Sequence, residues 1–356
     1  MKMKRINKLN FQPVFKLIAM LLIMLSAFFI VSCESKQGVK NPPPDAFKQS
    51  ERLGRGGNLG NILYNYKTWD KTLEQEQFDL IKGIGLNNVR VCIGPFAHVT
   101  ENPPYTFSKD FFERLDWTVN EALKRGLTVI IDQHEYHAMA DDPIGNKEMF
   151  LSTWKQMAEH YKGYPDNVYF GVLNEPNGNL TPYLWNYFCE DAIKVIRESN
   201  PNRTLVIGPG DWNGIDALEF LKLPEDDHNI IVEIHYYSPH HFTHQGAEWD
   251  KGSEAWMGTT WTGKPGEKQA VLDDFKIAVD WAKLHNRPLY LGEFGAYKKA
   301  DIDSRVQWLT YVVQQMDVNH WSWSIWDLMD PDFGIYDPSQ KSWIGPLKDA
   351  ILPPGK

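Results

Sequence analysis

Three observations on the sequence predict a closed (β/α)8 TIM barrel. After about residue 50, apolar or β-branched runs alternate about eight times with helical patterns. Several of these runs are apolar on both faces, which is typical of parallel strands covered by helices. The chain has 356 residues, enough for one such barrel and short additional segments. No glycine-rich phosphate loop follows the early strands, which argues against an open dinucleotide-binding sheet.

Each predicted strand is an apolar run bounded by turn residues. In chain order the runs are GRGGNL near Gly54, NNVRVCI at Asn87, LTVIID at Leu127, NVYFGVL at Asn167, RTLVIGP at Arg203, NIIVEIHYY at Asn229, RPLYLGEF at Arg287 and HWSWSIWD at His320. The active site of this fold lies at the C-terminal ends of the strands. Polar residues at the ends of the eight runs should therefore converge on one pocket.

The helical patterns carry start and stop signals. DFFERLDWTVNEALKRG has apolar residues at helical spacing and stops at Gly126, which suits the turn after a helix. TPYLWNYFCEDAIKVIRESNP begins with Thr181 and Pro182, a cap and a first-turn residue, and ends before Pro201. EKQAVLDDFKIAVDWAKLHN and SRVQWLTYVVQQMDVN repeat the pattern. These signals predict helices between the strands, as the barrel requires.

Residues 1–32 read as an export signal. Basic residues precede an apolar run over residues 17–31, which is short for a membrane span of about twenty residues. The run ends in IVSC, which resembles the lipobox of bacterial lipoproteins. That resemblance implies cleavage before Cys33, lipidation of its thiol and anchoring to the cell envelope, with the outer membrane expected and either face possible. A plain secretory signal with an incidental cysteine is the alternative.

Residues 33–49 are polar and contain three consecutive prolines, which predicts a flexible tether. The catalytic barrel is expected to occupy residues 50–356. Cys92 lies in a strand pattern and Cys189 in a helical one, so both are predicted to be unpaired core residues rather than a disulfide.

The formal net charge is −9, and loss of the five basic residues of the leader makes it −14. An acidic chain without a basic run argues against nucleic acid as a partner, whereas a neutral polymer is compatible with it. The chain has 14 Trp, 15 Tyr and 18 Phe, and exposed flat rings stack on sugar faces as well as filling cores. We expect a monomer that meets a membrane only through its lipid anchor and needs no cofactor or metal.

Polar or aromatic side chains stand at the ends of seven of the predicted strands. They are Asn61, Arg90, His134, Asn174, Glu175, His235, Tyr237, Glu293 and Trp326. A single polar residue at a strand end is usually solvated or part of an ion pair. The joint placement of nine such residues at one face of a barrel instead predicts a functional site.

Glu175 and Glu293 end the fourth and seventh strands, on opposite sides of the predicted barrel. Glycoside hydrolysis needs two carboxyl groups that flank one bond. Glu175 is the candidate acid/base and must start protonated, which requires a raised pKa. Glu293 is the candidate nucleophile and must be ionised, a state that a nearby Arg90 would favour. Tyr237 is expected to donate a hydrogen bond to the same carboxylate.

The remaining residues suit the recognition of a sugar. Trp326 offers a flat apolar face on which a sugar ring can stack. Asn174 is placed to bond a sugar 2-hydroxyl, a contact that strengthens in the transition state. His134 and His235 fit as donors to hydroxyl groups or as side chains that orient the two glutamates.

These residues resemble the invariant set of glycoside hydrolase family 5, the cellulase-type retaining β-glycanases. The resemblance covers about residues 50–353, and NLGN, LNEPNGNLTP, HYYSPHHFTHQGAEW and LGEFGAY are its distinctive segments. It implies an endo-acting β-1,4-glycanase, with β-linked polysaccharide or oligosaccharide as the substrate. It also implies that Asn61 and His244 line the substrate cleft. The chain departs from the pattern at Tyr64 and Glu135, which leaves the preferred polysaccharide open, and it has Asp327 where Glu is usual after the Trp.

Two other functions fit parts of the sequence. A surface glycan-binding lipoprotein without catalysis would keep aromatic residues such as Trp326, but would have no reason to keep both glutamates with Arg90 and Tyr237. A metal-dependent hydrolase would use histidines and carboxylates around one open position. Its candidate ligands are Asp132, His134, Glu135, His137, His235, His240, His241 and His244.

Overall fold

The structure, a computed structural model, describes residues 45–63 and 73–353. Eight parallel strands close into a barrel in which each strand pairs with its neighbour in the sequence and β1 pairs with β8. The strands are β1 Arg55–Leu63, β2 Asn88–Ile93, β3 Thr128–Gln133, β4 Val168–Gly171, β5 Leu205–Ile207, β6 Ile230–Tyr236, β7 Leu289–Phe294 and β8 Ser322–Ile325. The predicted fold class is confirmed. A short antiparallel pair, β9 Tyr336–Asp337 and β10 Ser342–Trp343, follows the barrel.

The longer helices of the described residues surround the barrel or close its ends. They are α1 Ala46–Leu53, α2 Gln75–Gly83, α3 Lys109–Lys124, α4 Tyr136–Asp141, α5 Pro143–Tyr161, α6 Pro182–Ser199, α7 Pro265–His285, α8 Ile302–Asn319 and α9 Gly345–Ile351. Shorter helical segments are Pro95–His98, Gly210–Asn213, Ile215–Phe220, His240–Thr243 and Ser253–Trp256.

The sequence signals for helix ends act as expected. Thr181 caps α6 by accepting a hydrogen bond from the Leu184 N–H at 3.3 Å, and Pro182 is the first helical residue. Gly126 follows α3 with a φ of 68°, in the left-handed region that favours glycine. Cys92 and Cys189 are both buried and free, which confirms that they are unpaired core residues.

Helix α1 closes the N-terminal end of the barrel and corrects the predicted boundary of the tether. Ala46 and Leu53 are buried in one cluster with barrel residues that include Ile130 and Tyr169. The Tyr169 hydroxyl donates a hydrogen bond to Gln49 Oε1 at 2.6 Å. Residues 46–49 therefore belong to the barrel domain. The sequence pattern did not predict this helix because its few apolar residues follow a polar, proline-rich stretch.

A register shift between β6 and β7 sets up the site. Ile234 pairs with Leu291, but the next paired residues are His235 and Glu293, so Gly292 is passed over. A Cβ atom on Gly292 would lie 1.8 Å from Glu233 Oε1, so any larger residue there would displace the Glu233 carboxylate. Glycine at this position lets Glu233 point into the barrel and brings Glu293 beside His235.

No helix within residues 45–63 and 73–353 combines the length and the apolar character needed to cross a bilayer. The predicted leader, Cys33 and Tyr64 lie outside the described residues.

We expect Leu53→Ala to lower the free energy of unfolding by about 2–5 kcal/mol, because it opens a cavity beneath the barrel. The matched change Phe47→Ala on the exposed face of α1 should cost much less, since Phe47 is 44% exposed and Leu53 is fully buried. Denaturant unfolding of both variants measures the difference. Equal losses would show that α1 does not dock through Leu53.

Candidate active site

Arg90 lies at the centre of the C-terminal end of the barrel and is completely buried. Its guanidinium group contacts carboxylates from three other strands or strand ends and two amide oxygens. The distances are 2.9 Å to Glu293 Oε1, 3.0 Å to Glu233 Oε1, 3.1 Å to Asp132 Oδ2, 2.7 Å to Asn174 Oδ1 and 3.0 Å to Asn58 Oδ1. These contacts fix the positions of the surrounding side chains.

Glu293 is held by two donors at the end of β7. Arg90 binds Oε1, and the Tyr237 hydroxyl donates to Oε2 at 2.9 Å. Burial raises the pKa of Glu293, and the neighbouring Glu175 adds to this rise, whereas His235 and Arg90 oppose it. The expected contact with Arg90 is therefore present, but burial outweighs it. The Glu293 carboxyl group is poorly solvated and fixed in orientation.

Glu175 lies beyond the end of β4 in an unusual backbone conformation. Its φ is 42°, in the left-handed region that is uncommon for residues other than glycine. The Asn177 side chain donates to the Glu175 carbonyl at 2.7 Å, and the Trp212 N–H donates to the Pro176 carbonyl at 3.2 Å. This strained turn holds the Glu175 side chain beside His235, with its carboxylate partly exposed.

His235 stands between the two glutamates. Its Nδ1 atom lies 2.8 Å from Glu175 Oε1 and 3.6 Å from Glu293 Oε2, and its Nε2 atom lies 3.3 Å from Glu233 Oε1. Burial acts to lower the pKa of His235, but the three carboxylates outweigh it and raise the pKa to about 10. At neutral pH a proton is therefore held next to Glu175.

The spacing of the two glutamates defines the chemistry open to the site. One carboxylate oxygen of Glu175, one of Glu293 and a ring nitrogen of His235 all lie within 4.8 Å of one another. Retaining glycosidases place their two carboxyl groups about 5–5.5 Å apart, whereas inverting enzymes leave about 6.5–9.5 Å for a water molecule. The observed spacing is compatible with direct attack by one glutamate and proton transfer by the other.

Residues 54–330 match the sequence model of the family described as Cellulase (glycosyl hydrolase family 5). The chain belongs to glycosyl hydrolase family 5. It is 33% identical over 318 residues to Endoglucanase H of Acetivibrio thermocellus, covering 87% of this chain and 34% of that protein. It is 28% identical to Endoglucanase 3 of Fibrobacter succinogenes, covering 82% of this chain and 52% of that protein. The chain thus spans about a third and about half of these two relatives.

The solved structures of family 5 that resemble this barrel include Thermotoga maritima Cel5A. Its complex with mannotriose has a TM-score of 0.84 and 44% identity, covering 86% of this chain and all of that one. Its cellobiose complex has the same TM-score, 45% identity and the same coverage of the two chains. The eight-stranded barrel of this chain is therefore the barrel of family 5.

His134 and Trp326 form one wall of the family 5 site. Their rings are parallel, 3° apart in orientation, with centroids separated by 5.7 Å. His134 Nδ1 lies 2.9 Å from Asp132 Oδ2. Burial lowers the pKa of His134 to about 3, with Arg90 and His235 adding to the effect, so this imidazole is neutral. The pair offers a partly exposed indole next to a parallel, neutral imidazole.

His244 packs against Tyr237, the residue that donates a hydrogen bond to Glu293. Its ring meets the Tyr237 ring edge to face, with centroids 5.0 Å apart, and its Nδ1 atom lies 2.9 Å from Thr243 Oγ1. Burial lowers the pKa of His244 to about 3. Asn61 lies in β1, and its side chain is outside the described part of the structure.

Two departures from the family pattern now have a structural context. Glu135 is buried and accepts a hydrogen bond from the Phe96 N–H at 2.8 Å, which ties it to the loop after β2. Asp327 accepts backbone N–H bonds from Gly60 at 2.7 Å, Met329 at 2.6 Å and Asp330 at 2.9 Å. Its short side chain closes a turn after β8 and joins that turn to β1.

Sequence reasoning missed several residues that support the site. Glu233 precedes His235 by two residues and therefore lies on the same face of β6. This alternation along the strand is the sequence signal that could have identified Glu233. Asn58 accepts from Arg90 and donates to the Gly292 carbonyl at 2.8 Å. Asn213 Nδ2 lies 3.3 Å from His235 Nε2. Neither amide carries a signal in the sequence, because each depends on closure of the barrel.

The ligands named for a metal-dependent hydrolase do not meet at one point. His235 lies with Glu175 and Glu293, whereas Asp132 and His134 lie with Cys92. His240 bonds Asp250, and the ring of His241 stacks on Trp256. The ring of His240 also stacks on that of His244, with centroids 4.1 Å apart, so these histidines are engaged in packing with one another and with Trp256.

We expect the imidazole of His235 to remain protonated through neutral pH and to lose its proton near pH 10. Glu293→Gln removes a carboxylate that raises this pKa, so it should shift the titration to lower pH. NMR titration of the histidine nitrogens, assigned with a His235→Asn variant, measures both effects. His134 is an internal control that should stay neutral between pH 5 and 9. Titration of wild-type His235 near its ordinary value of about 6.5 would contradict the described charge cluster.

Proposed function

We propose that this family 5 barrel is a retaining, endo-acting β-1,4-glycanase of the endoglucanase type, with β-glucan or a related polysaccharide as substrate. The observation that carries the proposal is the placement of Glu175 and Glu293, whose carboxylate oxygens lie within 4.8 Å at the ends of β4 and β7. This spacing suits double displacement. The similarity to endoglucanases over most of the barrel supports the same substrate class.

The reaction has two steps. In the first, a Glu293 oxygen attacks the anomeric carbon, the bond to the leaving sugar oxygen breaks, and Glu175 gives that oxygen a proton. In the second, water attacks the anomeric carbon and gives its proton to Glu175, and the ester bond to Glu293 breaks. The sugar keeps its anomeric configuration, and both carboxyl groups return to their starting states.

The surrounding groups prepare each glutamate for its role. Arg90 and Tyr237 orient Glu293, and both donors remain to hold its oxygens when the glycosyl-enzyme breaks down. His235 Nδ1 lies 2.8 Å from Glu175 Oε1, so the imidazole is placed to pass a proton to the carboxylate that serves as the acid. Because Arg90 binds Asn174 Oδ1, the amide nitrogen of Asn174 is the group that can donate to the sugar 2-hydroxyl.

The substrate is proposed to rest on Trp326, with His134 beside it as a donor to sugar hydroxyls. His244 and Asn61 extend the contacts along the cleft. The mannotriose and cellobiose complexes are those of Thermotoga maritima Cel5A. For this chain we propose β-1,4-linked glucan as the main polymer, with mannan-containing polymers as a second class. The catalytic chemistry requires no cofactor.

A non-catalytic glycan-binding protein is not favoured by the site. Such a protein needs stacking surfaces but gains nothing from carboxylates buried around an arginine, which are costly to desolvate. The described site keeps Glu293, Glu233, Asp132 and Arg90 buried together. Such a buried cluster of charges lowers the stability of the fold, and it is expected where a charged group must react.

Glu293→Gln should abolish hydrolysis of a soluble β-glucan, because no carboxylate is left to form the ester. Glu175→Gln should lower kcat by about 10²–10⁴-fold on the same polymer, the usual contribution of a general acid. On an aryl β-glycoside with a nitrophenol leaving group, Glu175→Gln should lose far less kcat/KM, since kcat/KM reports the first step and that leaving group needs no proton. Reducing-end release and nitrophenol absorbance measure the two reactions.

The exposed Glu113 on α3 provides the matched control, and Glu113→Gln should keep wild-type activity. A polysaccharide panel with linkage analysis of the products, with Glu293→Gln as the blank, identifies the preferred polymer. Full activity of either site variant on β-glucan would refute the assignment, and binding without release of reducing ends by the wild type would favour the glycan-binding alternative.

We propose further that the protein is an exported lipoprotein, with the thiol of Cys33 lipidated and the barrel held at the cell envelope by the preceding anchor. The proposal rests on the leader and the IVSC motif. Metabolic labelling with a fatty acid should mark the wild type, which should partition into detergent. Cys33→Ser should be unlabelled and appear in the soluble fraction. A labelled Cys33→Ser variant would contradict this attachment site.

A further inference from the structure

We propose that two exposed tyrosines on α6 extend the cleft on its leaving-group side and bind the polysaccharide beyond the point of cleavage. The inference rests on the proposed glycanase function. Tyr183 is 64% and Tyr187 is 67% exposed, so neither ring is used for packing in the core. Their chemistry suits a neutral β-linked chain, because flat aromatic rings stack on the apolar faces of sugars.

The rings form part of one aromatic surface. Tyr183 and Tyr187 are four residues apart and therefore lie on the same face of α6. The ring of Phe220 lies 5.5 Å from that of Tyr183, and Asn186 fixes this neighbour by donating to the Phe220 carbonyl at 2.8 Å. We call Tyr183, Tyr187 and Phe220 the outer platform. Its two tyrosines lie on the first two turns of α6, near the C-terminal end of the barrel strands, and Phe220 ends the segment Ile215–Phe220.

One loop connects the neighbourhood of Glu175 with the start of α6. The Trp212 N–H donates to the carbonyl of Pro176, the residue after Glu175, and the Trp212 side chain is 48% exposed. A Cβ atom on Gly210 would lie only 2.7 Å from the Cα atom of Pro182, which precedes Tyr183. The loop that carries Trp212 therefore adjoins both the turn of Glu175 and the start of α6, where Tyr183 lies.

The position of Glu175 gives the direction of the chain. The acid must lie next to the oxygen of the leaving sugar, so the leaving part of the polymer passes on the Glu175 side. Tyr237 and Trp326 border a different part of the cleft, where they pack against a buried cluster that contains Tyr297 and Phe333. The outer platform consequently faces the leaving part of a long chain, and a short oligosaccharide need not reach it.

The test compares a high-molecular-mass soluble β-glucan with cellotetraose, using Tyr183→Ala/Tyr187→Ala in the full chain. On the polymer, kcat/KM should fall about fivefold or more, since each lost aromatic contact weakens binding by about two- to tenfold. On cellotetraose it should be unchanged. Tyr183→Phe/Tyr187→Phe keeps the rings and should resemble the wild type. Leu284→Ala, at an 80% exposed position on α7, is the control for loss of a surface apolar group.

No loss on the polymer, or an equal loss on both substrates, would overturn the proposal. Electrophoretic retardation in gels that contain the β-glucan measures binding without turnover. If the wild type cleaves neither substrate, the proposed glycanase function fails, and the gel still decides on the platform. Weaker retardation of the double alanine variant then supports the outer platform, and unchanged retardation refutes it.

Discussion

The burial of one positive charge organises the catalytic end of this barrel. Arg90 is fully desolvated, and such a charge is tolerated only with close partners of opposite sign. Asp132, Glu233 and Glu293 provide those partners within 3.1 Å. The negative charge of three carboxylates exceeds the positive charge of one guanidinium group. Protonation reduces this excess, because burial outweighs the effect of Arg90 and raises the pKa of Asp132 to about 7. The cluster can thus gain or lose a proton near neutral pH.

The two glutamates occupy different environments in this charge cluster. Glu293 lies inside the cluster, bound by Arg90 and Tyr237, and has almost no contact with solvent. Glu175 lies at its edge, with its Oε1 atom 2.8 Å from His235 Nδ1, and stays partly exposed. The position of Glu293 suits a nucleophile whose carboxylate must be fixed in orientation and shielded from bulk water. The position of Glu175 suits a group that passes a proton to a leaving oxygen and later takes one from a water molecule.

The sequence predicted the barrel and the polar strand ends, because hydrophobic period and turn residues are local signals. It also predicted that Arg90 and Tyr237 would hold Glu293, since strand order brings their ends together. It could not predict Asn58 or the passed-over Gly292, whose roles depend on side chains from distant strands. Helix α1 was missed for a related reason. Its two buried apolar residues, Ala46 and Leu53, can be recognised as core only when the N-terminal end of the barrel is present.

Glycine and backbone strain show how far the chain is adapted to this geometry. A Cβ atom on Gly295 would lie 2.1 Å from the Trp326 carbonyl oxygen, so only glycine lets the ends of β7 and β8 approach beside Glu293. On the opposite side, Glu175 adopts a left-handed φ of 42° that loop contacts must maintain. Close packing thus fixes Glu293, while a strained turn presents Glu175. On the proposed function, a β-linked polymer would lie against Trp326 and extend past Glu175 towards the exposed rings of the outer platform.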